Sequence, residues 1–152
     1  MKKDFELREA LFPVFEIMRI QAQFKNLKLI VKIDKDVPRM VSGDNKRLCQ
    51  ILFSLLGNSV KYTEEGCISV SVSVLSGNSL EFMVQDTGKG MSREEQLALF
   101  KLFGKASSAS FTNTAVGLGL TFCKSVIEEM QGSIRCLSNP GQGTKMTFNI
   151  GV

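Results

Sequence analysis

Leu80-Glu81-Phe82-Met83-Val84-Gln85-Asp86-Thr87-Gly88-Lys89-Gly90-Met91 is the stretch on which the fold turns. Leu80, Phe82 and Val84 alternate with Glu81 and Met83, the pattern of a strand with one buried face, so a strand delivers the Asp86 carboxylate to its own end. Gly88 and Gly90 follow at a spacing of two, which lets the backbone turn sharply and approach a flat ligand that a Cβ would fend off. An Asp-Thr-Gly turn leaving a strand is by itself a common loop. The surrounding segments decide what it is for.

Upstream, Cys67 to Val74 alternates Ile68, Val70 and Val72 with serines, and Ser76-Gly77-Asn78 turns it into the Asp86 strand, which predicts a hairpin. Before that, Asp44 to Tyr62 reads as a helix with Asp44 as N-cap and Leu48, Ile51, Leu52 and Leu55 as its buried stripe. Its opposite stripe is Arg47, Gln50, Ser54, Asn58 and Lys61, at spacings of three and four. Such a stripe is ordinarily a solvated face. Here it also sets an amide oxygen able to ligate Mg²⁺ one turn from a cation able to meet phosphate. An earlier helix is predicted from about Arg8 to Lys25, with Leu11, Val14, Phe15, Met18 and Ala22 inward and Pro13 in its first turns. A strand from Leu27 to Ile33 follows it, closed by Asp34 to Pro38.

Downstream, Ser92-Arg93-Glu94-Glu95 opens a short helix through a capping box and ends with Phe100 and Phe103 one turn apart. The run from Lys105 to Val116 has no sustained periodicity and is expected to be mobile. Gly117-Leu118-Gly119-Leu120 then opens a helix whose apolar residues are Phe122, Val126, Ile127 and Met130, ending at Gly132. A glycine-rich helix start offers free amides and the positive dipole end to an anion. Ser133 to Ser138 and Lys145 to Ile150 complete a second hairpin.

Composition narrows the chemistry. The 152 residues are 43% hydrophobic, enough for one core, so residues 1–152 are expected to form a single domain. With 19 Lys and Arg against 15 Asp and Glu, the charge of +4 is mild and scattered, which argues against a nucleic-acid partner. Cys49, Cys67, Cys123 and Cys136 show no metal-ligand spacing and read as reduced thiols of an intracellular protein. No stretch approaches the ~20 apolar residues of a membrane span. The chain contains no histidine, so histidine acid/base catalysis, a Ser/His/Asp triad and a Cys/His pair are all excluded.

Taken in order, the Asn58/Lys61 helix, the Asp86-x-Gly-x-Gly turn, the paired phenylalanines, the Gly-x-Gly helix start and Gly143-Thr144 resemble the catalytic, ATP-binding domain of histidine kinases, from Phe5 through Phe148. That group also includes gyrase-type topoisomerases, the Hsp90 chaperone and MutL repair proteins. The resemblance implies the Bergerat ATP-binding fold, an α/β two-layer sandwich with a mixed sheet and helices on one face. It implies that ATP and Mg²⁺ are bound: Asn58 would hold Mg²⁺, Lys61 the phosphates, and Tyr62 would lie near the nucleotide. Asp86 would accept from the adenine amino group, with Gly88 and Gly90 passing the base. Phe100 and Phe103 would anchor a lid over the site. Gly117, Leu118, Gly119 and Leu120 would face the phosphates, and Thr144 would border the adenine pocket.

The resemblance further implies transfer of the γ-phosphate to a histidine on a separate dimerisation domain, with a response-regulator receiver domain downstream. The phosphoacceptor lies outside this chain, so no catalytic residue is assigned within it and it would not autophosphorylate alone. It is expected to be monomeric and cytoplasmic, even if a longer protein carrying it is membrane-anchored. Two positions depart from the family pattern: Ser54 stands where an asparagine is usual, and Thr114-Ala115-Val116 replaces Gly-Gly-Thr. A serine cannot act as the proton acceptor that a glutamate provides in the hydrolytic branches of the group, which disfavours ATP hydrolysis as the main activity. The competing expectation is a nucleotide-binding pseudokinase or regulatory module in which these departures have removed phosphotransfer.

Overall fold

The computed structural model describes residues 2–101 and 114–152, with the side chains of 98–101 and 114–119 left out. The chain runs β1 (Lys3–Glu6), α1 (Leu7–Gln23), β2 (Lys28–Ile33), β3 (Met40–Gly43), α2 (Asn45–Tyr62), β4 (Cys67–Ser76), β5 (Ser79–Asp86), α3 (Arg93–Lys101), α4 (Thr114–Glu129), β6 (Ile134–Ser138) and β7 (Thr144–Gly151). Five strands form one mixed sheet in the order β2-β4-β5-β7-β6, with β2 parallel to β4 and the other pairs antiparallel. The parallel pair requires a crossover, and α2 lies within it.

Alternation along the strands separates the faces. Ile68, Val70 and Val72 of β4, Leu80, Phe82 and Val84 of β5, and Met146, Phe148 and Ile150 of β7 are buried beneath the helices. Phe82 and Phe148, paired in register, stack with ring centroids 4.8 Å apart. Leu48, Ile51, Leu52, Leu55 and Leu56 of α2 meet them from above, and Leu11, Val14, Phe15 and Met18 of α1 extend the same core. This is the expected two-layer sandwich with helices on one face of the sheet.

Both hairpins form where the alternation places them, and Asp44 caps α2, its Oδ1 accepting from the Arg47 amide at 3.1 Å. The capping box is reciprocal: Ser92 N–H donates to Glu95 Oε1 at 2.8 Å and Glu95 N–H to Ser92 Oγ at 3.1 Å.

Two features were not stated by the sequence, and one expected boundary is corrected. The segments Lys3–Glu6 and Met40–Gly43 pair as a second, two-stranded antiparallel sheet, Phe5 opposite Val41. Four-residue strands carry too short an alternation to be read along the chain, and their pairing is long-range. Phe122 is 43% exposed; the inward face of α4 is Leu120, Cys123, Val126 and Ile127. The chain is already helical from Thr114, ahead of Gly117, so Thr114-Ala115-Val116 are helical and Gly119 lies inside the helix rather than at its start. The rest of the expected mobile run, 105–113, lies outside the described residues.

Candidate functional site

Strand β5 ends by carrying Asp86 into the core side of the sheet, where it is 8% exposed. A buried carboxylate needs hydrogen bonds. Oδ1 accepts two, from Gly88 N–H at 2.9 Å and Thr144 N–H at 3.2 Å. Both bonds fall on one oxygen, which fixes the plane of the carboxylate and leaves Oδ2 without a hydrogen bond among the described residues.

The wall opposite is built by close backbone approach. A Cβ on Gly88 would stand 2.6 Å from the Tyr62 carbonyl and 3.0 Å from both Asp86 Oδ1 and Thr63 Oγ1, so only glycine fits between the end of α2 and the carboxylate. Gly143, at φ +83°, sits against the Asp86 carbonyl in a conformation that glycine adopts without strain. Beside Gly88, the Thr63 hydroxyl is fully buried and has no hydrogen-bond partner among the described residues. Such an atom costs about 1–3 kcal/mol unless something arrives to bond it. It marks a polar cradle next to Asp86.

At the mouth, a cavity of about 650 Å³ is bounded by Lys61, Tyr62, Glu64, Thr87, Gly88 and Lys89, among others. The Lys61 ammonium lies 5.4 Å, and that of Lys89 5.3 Å, from the Tyr62 ring centroid. Lys25 closes the end of α2, its Nζ donating to the Val60 carbonyl at 2.8 Å and the Lys61 carbonyl at 3.2 Å while lying 3.5 Å from Glu64 Oε1. This is a cation on the carbonyls that the last turn leaves free. Asn58 is half-buried one turn before Lys61, and its amide has no hydrogen-bond partner among the described residues.

The sequence-derived residues therefore divide. Asp86, Gly88, Tyr62, Lys61 and Thr144 come together around one cradle, and Gly90, at φ +73°, holds its turn against the Asn139 carbonyl. The backbones of Gly117, Leu118 and Gly119 lie in the opening turns of α4, and Leu120 is buried in the core at 3% exposure. Phe100 lies on α3 without a described side chain, and Phe103 falls outside the described residues.

Residues missed by reading the sequence knit the cradle. Ser138 Oγ accepts from Met91 N–H at 2.8 Å, donates to the Gly143 carbonyl at 2.8 Å, and lies 2.9 Å from Thr144 Oγ1. Gln96 Nε2 donates to the carbonyls of Met91 at 3.1 Å and Ser138 at 2.8 Å. The only sequence signal for Ser138 is its place before the Asn139-Pro140-Gly141 turn. On α4, the buried Cys123 thiol lies 3.9 Å from the Ile51 carbonyl of α2. Burial raises that thiol to about 11, with the nearby Ser54 hydroxyl pulling the other way. Cys136 is also raised to about 11, first by burial and then by the Asp86 charge.

Residues 43–152 match the family described as histidine kinase-, DNA gyrase B- and HSP90-like ATPases, and the chain belongs to this family. Its relatives include sensor proteins and signal transduction histidine-protein kinases. The chain is 35% identical over 155 residues to the sensory/regulatory protein RpfC of Xanthomonas campestris pv. campestris, covering 98% of this chain and 21% of RpfC. It is 38% identical to the sensor protein GacS of Pseudomonas syringae pv. syringae, over 96% of this chain and 17% of GacS. Full-length ShkA, solved in complex with AMPPNP, superposes with a TM-score of 0.83 at 28% identity, covering 98% of this chain and 30% of ShkA. The chain thus spans about a fifth of the length of the curated relatives. No described helix is long and apolar enough to cross a membrane.

Proposed function

We propose that this domain binds ATP with Mg²⁺ and supplies the γ-phosphate to a histidine on a separate helical dimerisation domain, from which a receiver domain takes it onward. The observation that carries this reading is the Asp86 carboxylate, with its accepted hydrogen bonds on Oδ1, beside the unpartnered Thr63 hydroxyl. One fixed oxygen acceptor and one free hydroxyl in a cradle that excludes a Cβ suit the amino edge of a planar base. In this reading Asp86 accepts from the adenine amino group, Gly88 and Gly90 give the base room, and Thr144 closes the pocket. Lys61 meets the phosphates and Tyr62 flanks the nucleotide. The backbone of Gly117 and Leu118 in the opening turns of α4 faces the phosphates in this reading.

The residues fit a metal that arrives on the nucleotide. Among the described residues no cluster of His, Cys, Asp or Glu could hold an ion unaided. The Asn58 amide oxygen has no partner among the described residues, and Mg²⁺ typically takes one or two protein oxygens while phosphates and water supply the rest. Asn58 is the α2 side chain that would do this. When bound, the ion neutralises charge on the phosphates.

In the transfer itself the bond from the terminal phosphorus to the bridging oxygen breaks, a bond to an imidazole nitrogen forms, and ADP departs. Such transfer depends mainly on positioning and charge stabilisation. A neutral imidazole is already a nucleophile at cellular pH and needs no base from this chain. The donor nucleotide places the domain on the cytoplasmic side of any membrane its parent protein crosses.

The test mixes this domain with γ-labelled ATP, Mg²⁺ and a separately produced histidine-bearing dimerisation domain from a related sensor kinase. Acid-labile label on that domain is the expected result. Nucleotide binding without any transfer to several such domains would favour a regulatory nucleotide-binding module instead.

A further inference from the structure

We propose that Lys89 is a second polyphosphate-binding cation, acting beside Lys61, and that the pair makes the site discriminate nucleotides by phosphate number. The inference rests on the ATP reading above and extends it to a residue for which that reading has no role.

Both ammonium groups sit on the same aromatic ring, at 5.4 Å and 5.3 Å from the Tyr62 centroid, yet they come from different elements. Lys61 lies in the last turn of α2; Lys89 lies in the turn leaving β5. Lys89 is not a lysine on a loose loop. Its carbonyl accepts from Gly141 N–H at 2.6 Å, Gly88 on one side is wedged under the Tyr62 carbonyl, and Gly90 on the other is pressed against Asn139. The main chain is thus held while the ring supports the side chain, so less rotamer freedom remains to be lost when an anion binds.

The charge balance points the same way. Among the described residues neither ammonium has a carboxylate within ion-pair distance. Of the acidic residues beside them, Glu64 already faces Lys25 at 3.5 Å. Glu65 fixes the turn through its main chain, its carbonyl accepting the Thr87 hydroxyl at 3.0 Å. Two unpaired cations converging on one wall of a cavity of about 650 Å³ attract a ligand in proportion to its negative charge. Triphosphate therefore gains most, diphosphate less, and a nucleoside nothing.

The test is titration calorimetry of the parent, Lys89→Met, Lys89→Arg and Lys61→Met with ATP, ADP and adenosine, at low and high salt. Lys89→Met is expected to weaken ATP about tenfold and ADP about threefold at low salt, to leave adenosine unchanged, and to lose most of its effect at high salt. Lys89→Arg should retain the ATP/adenosine ratio of the parent. Equal affinities of Lys89→Met and parent for ATP, or equal loss for ATP and adenosine, would overturn the inference while leaving the ATP reading intact. A parent that binds none of the three would overturn both.

Discussion

Replacing Asp86 by Asn separates what the carboxylate does for the fold from what it does for a ligand. The two bonds it accepts, from Gly88 N–H at 2.9 Å and Thr144 N–H at 3.2 Å, both end on Oδ1, and the asparagine carbonyl can accept them in the same place. The flipped amide would point its NH₂ at two backbone donors, so the orientation is forced. Stability should therefore change by less than about 1 kcal/mol, a melting shift of no more than about 2–4 °C at this size. The other oxygen becomes an NH₂ facing the cradle. A charge-assisted hydrogen bond to the adenine amino group, of about 1.5–3 kcal/mol, is lost, and two donors are opposed. Together these should cost about 3 kcal/mol, roughly a hundredfold in Kd. Calorimetric titration with an ATP analogue, paired with thermal melting, measures both quantities on one sample. The variant also removes the charge that, after burial, raises the Cys136 thiol, so that thiol should titrate lower with no ligand present. Binding within about threefold of the parent, at an unchanged melting point, would refute the assignment of Oδ2 to the base.

Two further outcomes follow from the interactions around this site. Lys25→Met removes the cation from the last carbonyls of α2 and should lower stability by about 1 kcal/mol, read as a lowered urea midpoint with an unchanged slope. The Cys123 and Cys136 thiols, raised from 9.0 to about 11, should resist alkylation at pH 8 in the folded protein and react once it is unfolded in urea. Because their folded values lie above the unfolded ones, the associated stability is complete below pH 9 and is lost as pH rises from 9 toward 11; thiols titrating near 9 in the folded protein would contradict the burial argument.

Regular elements were legible wherever a periodicity ran long enough. The alternation through Leu80, Phe82 and Val84, the stripe of Leu48, Ile51, Leu52 and Leu55, and the Ser92/Glu95 box each state their own geometry, because local backbone preference and burial agree there. The same holds for the candidate site residues that sit at element ends. Asp86, Gly88 and Lys61 stand out since a strand end, a Gly-rich turn and a helix face can be read from a dozen residues. Which side of α4 is covered was not legible: an apolar residue on a helix does not say which neighbour packs on it, and Phe122 is 43% exposed.

What the chain could not state was any relation between segments far apart in sequence. The pairing of Lys3–Glu6 with Met40–Gly43, the reach of Lys25 to the end of α2, the Cys123 thiol set against the Ile51 carbonyl, and Ser138 joining Met91 to Gly143 all depend on where elements come to rest. So does the convergence of Lys61 and Lys89 on one ring. Spacing and polarity are properties of a strip of chain and survive being read in one dimension. Hydrogen-bond partners, burial and the distance between two charges come into existence only when packing brings the strips together.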